Sequence, residues 1–235
     1  MVKKIVLLTK SRKHGGYCTA GVDVETGEWV RIVSSGYDKT TDEIDEDELT
    51  YLDGTKAECL DVIQIECVGW RPNYYQPENY VMNRTKKWIK LGEATIDNVL
   101  AIHPFEEKQY LFFNSSYRVE DEILQNIEDD LKSSLSMIKI DNPIIIVSTK
   151  PWAQDEKSVT VKFWYNGNLY SYIRTTDDEF FGEYYDCEDG EYHLSGSYIA
   201  IISLGELYER DNNHYKLIAK VFPYKENVFQ NILFR

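Results

Sequence analysis

Short runs of apolar residues, separated by charged and polar ones, predict strands along most of the chain. Residues 3–10 form an apolar run bounded by charges, which is typical of a buried strand. Residues 17–24 and 28–34 flank a Glu-Thr-Gly turn, so these first three runs predict an antiparallel meander. Residues 61–70 alternate with a period of two, which predicts a half-buried strand.

The last third of the chain returns to the same pattern. Residues 143–150 predict a buried strand, and residues 159–175 predict a hairpin around an Asn-Gly pair. Two further strands are predicted at 197–208 and 214–222, after an acidic stretch that we interpret as a solvated loop.

Helices are expected only between these two groups of strands. Residues 92–101 predict a short helix. Residues 119–138 carry an apolar residue at every fourth position from Val119 to Leu135, which predicts a longer one. The Asn-Pro pair at 142–143 would end it.

Residues 5–11 and 144–151 echo each other, since both are apolar runs that end in Thr-Lys. The pattern therefore predicts a mainly β (α+β) protein with two small β barrels. We place the first barrel at 1–90, a helical connector at 91–142 and the second barrel at 143–235.

Charge is distributed unevenly over the 235 residues. The net charge is −14, but three acidic segments carry more than this total, so the remainder is mildly basic. These segments are 37–53, which we interpret as an insert in the first barrel, 91–142 and 177–191. Overall acidity therefore does not by itself exclude an anionic partner.

The N-terminal apolar run is too short for a signal-peptide core or a membrane span. We expect a cytoplasmic protein with no membrane partner. The cysteines, at 18, 59, 67 and 187, form no CxxC pair, so we expect neither a metal site nor a cofactor.

No sequence motif of a known catalytic class is present. His14 and Cys18 have no spacing that fixes a nucleophile–base pair. Residues 177–179, after a strand that bears Lys162 and Arg174, are typical of a solvated loop rather than of a nuclease site. The expectation is a protein without catalytic activity.

Two longer blocks carry a family resemblance. They are "TKSRKHGGYCTAGVDVETGEWVRIVS" (9–34) and "SLGELYERDNNHYKLIAKV" (203–221). Together they resemble the dual OB-domain proteins of bacteria over nearly the full length. The resemblance implies two OB-like barrels and a role in binding nucleic acid or nucleotides, sometimes in defence-related contexts, and it implies no catalytic residue.

The first candidate site is the loop "KSRKHGGYC", in which cations and two glycines follow a strand. Exposed backbone N–H groups and cationic side chains can bind phosphates, while neighbouring aromatic rings stack on bases. The predicted ligand-binding residues are Lys10, Arg12, Lys13, His14, Gly15, Gly16, Tyr17, Trp29 and Arg31.

A second cluster, within 70–88, interleaves aromatic and cationic residues in the same way. Its candidate ligand-binding residues are Arg71, Tyr74, Tyr75, Arg84, Lys86 and Trp88. The alternative is that these aromatic side chains pack over the first barrel.

The sequence therefore favours a non-enzymatic binding module for single-stranded nucleic acid or a nucleotide. One alternative is an adaptor whose acidic surfaces bind a basic protein partner. Another is a nucleotide-processing enzyme whose site the sequence does not locate.

Overall fold

The computed structural model describes residues 1–13, 15–34 and 42–225, without the side chains of residues 154 and 155. His14 and residues 37–41 of the acidic insert, which figure in the predictions above, lie outside the described residues. Within these ranges no helix has both the length and the apolar character needed to cross a membrane.

Strands make up most of the described chain. The strands are β1 (Val2–Lys13), β2 (Gly16–Asp23), β3 (Trp29–Val33), β4 (Asp61–Trp70), β5 (Asn79–Met82), β6 (Ile89–Glu93), β7 (Arg118–Glu120), β8 (Leu135–Asp141), β9 (Ile144–Lys150), β10 (Ala153–Tyr165), β11 (Asn168–Thr175), β12 (Gly190–His193), β13 (Ser197–Tyr208) and β14 (Asn213–Tyr224). The helices are α1 (Ile96–Ile102), α2 (Asp121–Asn126) and α3 (Asp178–Tyr185).

Five strands close the first barrel in the order β1-β2-β3-β5-β4, and β4 pairs back onto β1. The β1-β2-β3 meander is antiparallel, as predicted. β3 and β5 pair in parallel, with Val33 opposite Val81. β6 extends the sheet from the outer side of β4.

The second sheet repeats this path. Its central order is β9-β10-β11-β14-β13, and β11 and β14 are again the parallel pair. β12 adds to β9 at one end and β8 adds to β13 at the other. The two echoed segments, 5–11 and 144–151, thus supply the first strand of each unit, and the predicted mainly β fold with two OB-like barrels is confirmed.

A shared apolar core joins the two barrels. β1 buries both faces, because Ile5 and Leu7 point into the first barrel while Val6 and Leu8 pack against the second. A strand covered on both sides has to be apolar at every position, which explains the unbroken run at its centre. The members of this joining core are Val6, Leu8, Val22, Val99, Met137, Ile199, Ile201 and Phe222.

The prediction of a long helix over 119–138 is wrong. Its residues form β7, the short α2, a 3₁₀ turn at Asp129–Leu131 and β8. β8 pairs with β13 over its whole length and is buried on both faces. Tertiary pairing therefore overrides a four-residue period that a strand buried on both sides also satisfies. The shorter helix predicted over 92–101 is confirmed as α1, which begins at Ile96, while residues 92 and 93 belong to β6.

The acidic stretch 177–191, expected as a solvated loop, holds α3 and β12 instead. Asp177 is buried at the N-cap of α3, where its carboxylate accepts hydrogen bonds from the backbone N–H groups of Phe180 (3.5 Å) and Val221 (3.1 Å). Lys220 Nζ lies 3.1 Å from the same carboxylate. A buried carboxylate with three donors caps the helix, and this cannot be seen from local acidity.

Candidate functional site

Two cations of the opening stretch, Arg12 and Lys13, are paired with carboxylates of the second barrel. Arg12 Nε lies 3.1 Å from Asp178 Oδ2 on α3, and Lys13 Nζ pairs with Glu206 on β13. Burial lowers the pKa of Lys13, but the neighbouring Cys18 and Glu206 raise it overall, so its ammonium form is retained. The two side chains join one barrel to the other.

Lys10 is also paired. Its Nζ lies 2.9 Å from Glu58 Oε1 and donates to the carbonyl oxygen of Ala57 at 2.9 Å. Gly15 takes φ +99°, a conformation that favours glycine, while Gly16 begins β2. Lys10, Arg12 and Lys13 lie on β1 rather than in a loop, and each already has a partner. Their use as an anion site stays a prediction.

The residues expected beside the loop serve the joint between the barrels. Trp29 is half-buried, donates to Glu106 Oε1 at 3.2 Å and packs edge-on against His103 at 4.9 Å. Arg31 is only 5 % exposed and donates from Nη2 to Ser134 Oγ at 2.8 Å.

Tyr17 is half-buried, packs against the core of the first barrel and bridges by its backbone to Ile44. Trp29 packs against His103 and Arg31 is buried against Ser134, so neither of these two predicted residues presents a free stacking or phosphate-binding surface.

The aromatic residues of the second predicted cluster are largely packed. Trp88 is 1 % exposed and lies in the core of the first barrel. Tyr74 donates to Asp121 Oδ1 at 2.6 Å, and Tyr75 packs against the His214 ring at 4.7 Å. The alternative that these rings pack within the protein describes their placement better than a stacking platform does.

The cations of this cluster differ from one another. Arg71 pairs with Asp42, and Arg84 pairs with Glu48. Lys86 is exposed. The cluster is thus divided between packed rings and surface ion pairs, and its role as a ligand site stays a prediction.

The β10–β11 hairpin of the second barrel exposes aromatic rings beside cations. Trp164 on β10 is 63 % exposed and Tyr172 on β11 is 65 % exposed. Phe163 and Ile173, their neighbours on the opposite side of the hairpin, are buried in the barrel. Alternation along the strands thus places these two large rings on the outer surface.

Lys162 and Arg174 lie on the same outer side. Arg174 is opposite Thr160 across the hairpin, and Lys162 is two residues before Trp164. Neither cation forms an ion pair within the described ranges. Unlike the cations of the opening loop, these charges are available to a partner.

A local distortion orients Tyr172. The pairing register shifts between Val161 and Phe163, and Tyr172 takes φ +62°, in the left-handed region that non-glycine residues rarely adopt. A bulge of this kind bends a strand and re-aims a side chain, and the strained backbone costs about 1–3 kcal/mol.

A row of tyrosines continues from Tyr172 across the barrel. Ring centroids are separated by 6.5 Å from Tyr172 to Tyr117, 5.9 Å from Tyr117 to Tyr215 and 6.0 Å from Tyr215 to Tyr208. We call these four residues the tyrosine row. Two guanidinium groups lie over its rings: Arg118 over Tyr117 and Arg210 over Tyr208.

Sequence reasoning identified this hairpin but not its surface. Within "VTVKFWYNGNLYSYIRT", Lys162, Trp164 and Arg174 share one side of the alternation. An aromatic residue at an outward position between two cations is a signal that the sequence contains. The tyrosine row has no such local signal, because its members come from four separate segments.

Comparison with known proteins finds one family model, the Dual OB-containing domain, which matches residues 3–221. No curated protein and no solved structure matches the chain.

Proposed function

Because the chain belongs to the dual OB-containing domain family, we propose that it binds single-stranded nucleic acid on the outer face of the β10–β11 hairpin. The observation that carries this proposal is the exposure of Trp164 and Tyr172 beside Lys162 and Arg174, two cations that form no ion pair within the part of the chain that the structure describes. OB folds bind oligonucleotides with the face of their second and third strands, and β10 and β11 hold those positions in the second barrel.

The chemistry of this face suits unpaired nucleotides. Exposed bases stack on aromatic rings, at about 1–3 kcal/mol per base, and cations beside the rings pair with the phosphates. Double-stranded nucleic acid offers no free base faces to Trp164 and Tyr172. The tyrosine row extends the stacking surface beyond the hairpin.

The equivalent face of the first barrel is covered. Val22 on β2 lies in the joining core, and on β3 Arg31 is buried while Trp29 is half-buried. We therefore propose one binding face per chain, with the first barrel supporting the second. A single OB fold occupies about 4–16 nucleotides.

The net charge of −14 weakens long-range attraction of a polyanion, so local charge has to supply the affinity. Two unpaired cations imply a shallow salt dependence, since each phosphate contact adds about 0.7 to the slope for single strands. Removing both cations should flatten the slope by about 1.4.

The test is fluorescence anisotropy of a labelled twelve-nucleotide oligo-dT across a salt series. The variant Trp164→Ala/Tyr172→Ala removes both rings, and we expect the dissociation constant to rise by about 30-fold or more. The comparison variant is Trp70→Ala, which removes a 58 % exposed tryptophan from β4 of the first barrel, within the second predicted cluster, and should change little. Loss of binding in this variant alone would move the site to that cluster.

Charge variants separate this face from the opening loop. Lys162→Ala/Arg174→Ala should weaken binding and flatten the salt slope, whereas Lys10→Ala/Arg12→Ala/Lys13→Ala should leave the slope nearly unchanged. Loss of binding in the loop variant alone would move the site to the opening loop. Absence of oligonucleotide binding by the wild type at low salt would refute the proposal.

A nucleotide as the natural ligand is tested with the same probe. A stacking face several rings long favours a chain over a monomer, so an excess of thymidine monophosphate should not displace the oligo-dT. Displacement by the monomer at equal nucleotide concentration would favour the nucleotide.

A further inference from the structure

An open groove lies between the two barrels on a surface that the proposed nucleic-acid face does not include. Its volume is about 830 Å³, which lies within the range of sites that hold drug-sized ligands. The first barrel and the region around α3 and β14 form its walls. The lining side chains on which the argument depends are Tyr17, Glu58, Glu183, Tyr184, Tyr198 and Phe222.

Aromatic rings line both walls of the groove. Tyr17 lies on the first barrel, and Tyr184, Tyr198 and Phe222 lie on the second. The Tyr184 ring packs at 5.3 Å from that of Phe180, which holds it in place on α3. Rings distributed in this way offer apolar contact and π faces to a cationic ligand.

The charge of the groove is negative after its internal pairs are taken into account. Its two lysines are already paired, Lys10 with Glu58 and Lys220 with Asp177 and Glu179. Glu183 has no ion-pair partner within the described ranges. Acidic side chains outnumber basic ones along the lining, so an anion would be repelled there.

Acids that a ligand can reach stand on both walls, and Glu179 on α3 is 79 % exposed although it touches Lys220. Glu58 belongs to the first barrel and its side chain is 66 % exposed although it touches Lys10, while Glu183 belongs to α3. A ligand that satisfies both needs two cationic groups separated by an apolar body that lies against the rings. A chain segment with this alternation fits better than a compact ion.

We propose that this groove docks a peptide segment of a partner protein in which arginine or lysine residues alternate with large apolar ones. Charge complementarity selects the cationic side chains, and the aromatic walls bind the apolar ones. This site is independent of nucleic-acid binding, since it shares no residue with the β10–β11 face.

The test uses a fluorescein-labelled hexapeptide of alternating arginine and leucine, titrated with the full chain and followed by anisotropy. We expect saturable binding that Glu58→Gln/Glu183→Gln weakens by about fivefold, as expected for two exposed charge pairs. Tyr184→Ala should weaken it further by removing a ring. The control Glu122→Gln removes an exposed carboxylate from α2, outside the groove, and should change nothing.

Three results would overturn the proposal. The first is that the hexapeptide does not bind at low salt. The second is that the control variant weakens peptide binding as much as the groove variants do. The third is that spermidine displaces the hexapeptide while a peptide with serine in place of leucine binds equally well. The last result would show a site for small amines. Lys162→Ala/Arg174→Ala should leave peptide binding intact, so failure of one site is distinguishable from failure of the other. Thermal melting of each variant checks that it is folded.

Discussion

The buried lysine of the second barrel makes stability depend on pH in a predictable direction. Lys216 on β14 is 1 % exposed, and its Nζ donates to the carbonyl oxygen of Asn114 at 2.7 Å and to Asn114 Oδ1 at 2.8 Å. The ammonium lies 5.1 Å from the centre of the Tyr170 ring. Burial lowers the pKa of Lys216 from 10.5 to about 7.

The sign follows from proton binding. Between pH 7 and pH 10 the unfolded chain keeps a proton on this lysine that the folded chain has released, so raising the pH favours folding. Below pH 7 both states are protonated, and the full cost of burying the charge is present. One pKa unit corresponds to about 1.4 kcal/mol, so Lys216 should add about 2 kcal/mol to the free energy of unfolding between pH 7 and pH 9.

Lys216→Met is the perturbation, because methionine keeps an apolar stem in the same space. The loss of the donor is tolerated, since Asn114 O also accepts from Tyr170 Oη at 3.1 Å and Asn114 Oδ1 accepts from the Ser116 N–H at 3.0 Å. We expect the variant to have a higher free energy of unfolding than the wild type at pH 6, and we expect this difference to disappear by pH 9.

Urea denaturation at pH 6, 7, 8 and 9 measures this difference directly. Comparing the two proteins cancels the titration of every other group, provided that no other pKa changes. Lys162→Met, at an outward position of β10, is the matched control for replacing a lysine by methionine outside the barrel core. A constant difference for Lys216→Met would refute the reasoning, because it would mean that the folded protein keeps the proton throughout.

Three further predictions concern the packing and charges of the fold. A Cβ at Gly21 would lie 2.1 Å from the backbone oxygen of Val6, so Gly21→Ala should destabilise the protein by about 3 kcal/mol in urea denaturation. Arg12→Glu should lower the free energy of unfolding by less than about 1 kcal/mol, since the pair that Arg12 forms with Asp178 is exposed. In a double-mutant cycle, adding Asp178→Arg restores the pair with its charges exchanged and should recover this loss of stability. Burial raises the pKa of Asp121, but hydrogen bonds from neighbouring side chains lower it overall. Asp121→Asn should therefore have a lower free energy of unfolding than the wild type at pH 7. The difference between the two proteins should become smaller below about pH 4, where the wild-type carboxylate begins to be protonated.

Local patterns were sufficient for most strands and for the repeat. The alternation at 61–70 and the Asn-Gly hairpin at 166–167 appear in the structure where the sequence places them. Both depend on side-chain periodicity and turn conformation, which are properties of neighbouring residues. The Thr-Lys echo also predicted two similar units, because each unit begins with the same kind of strand.

Patterns failed where burial came from a distant segment. The stretch 135–141 has helical spacing, yet it is a strand because β13 supplies hydrogen bonds along its length. Asp177 looks like part of a solvated loop, yet the amides of α3 and β14 and the ammonium of Lys220 surround it. Neither partner can be identified from the residues beside it in the chain.

The sequence by itself determined a mainly β fold of two small β barrels, since strand periodicity, turns and the echo are local properties, and the family resemblance implied that the barrels are OB-like. Only the tertiary structure decided which cations and rings are available to a ligand. The barrels pack together through β1 and β2, and this contact pairs Arg12 and Lys13 with acids and buries Arg31. The same contact leaves the β10–β11 hairpin exposed, because a surface becomes available only when no other part of the chain covers it.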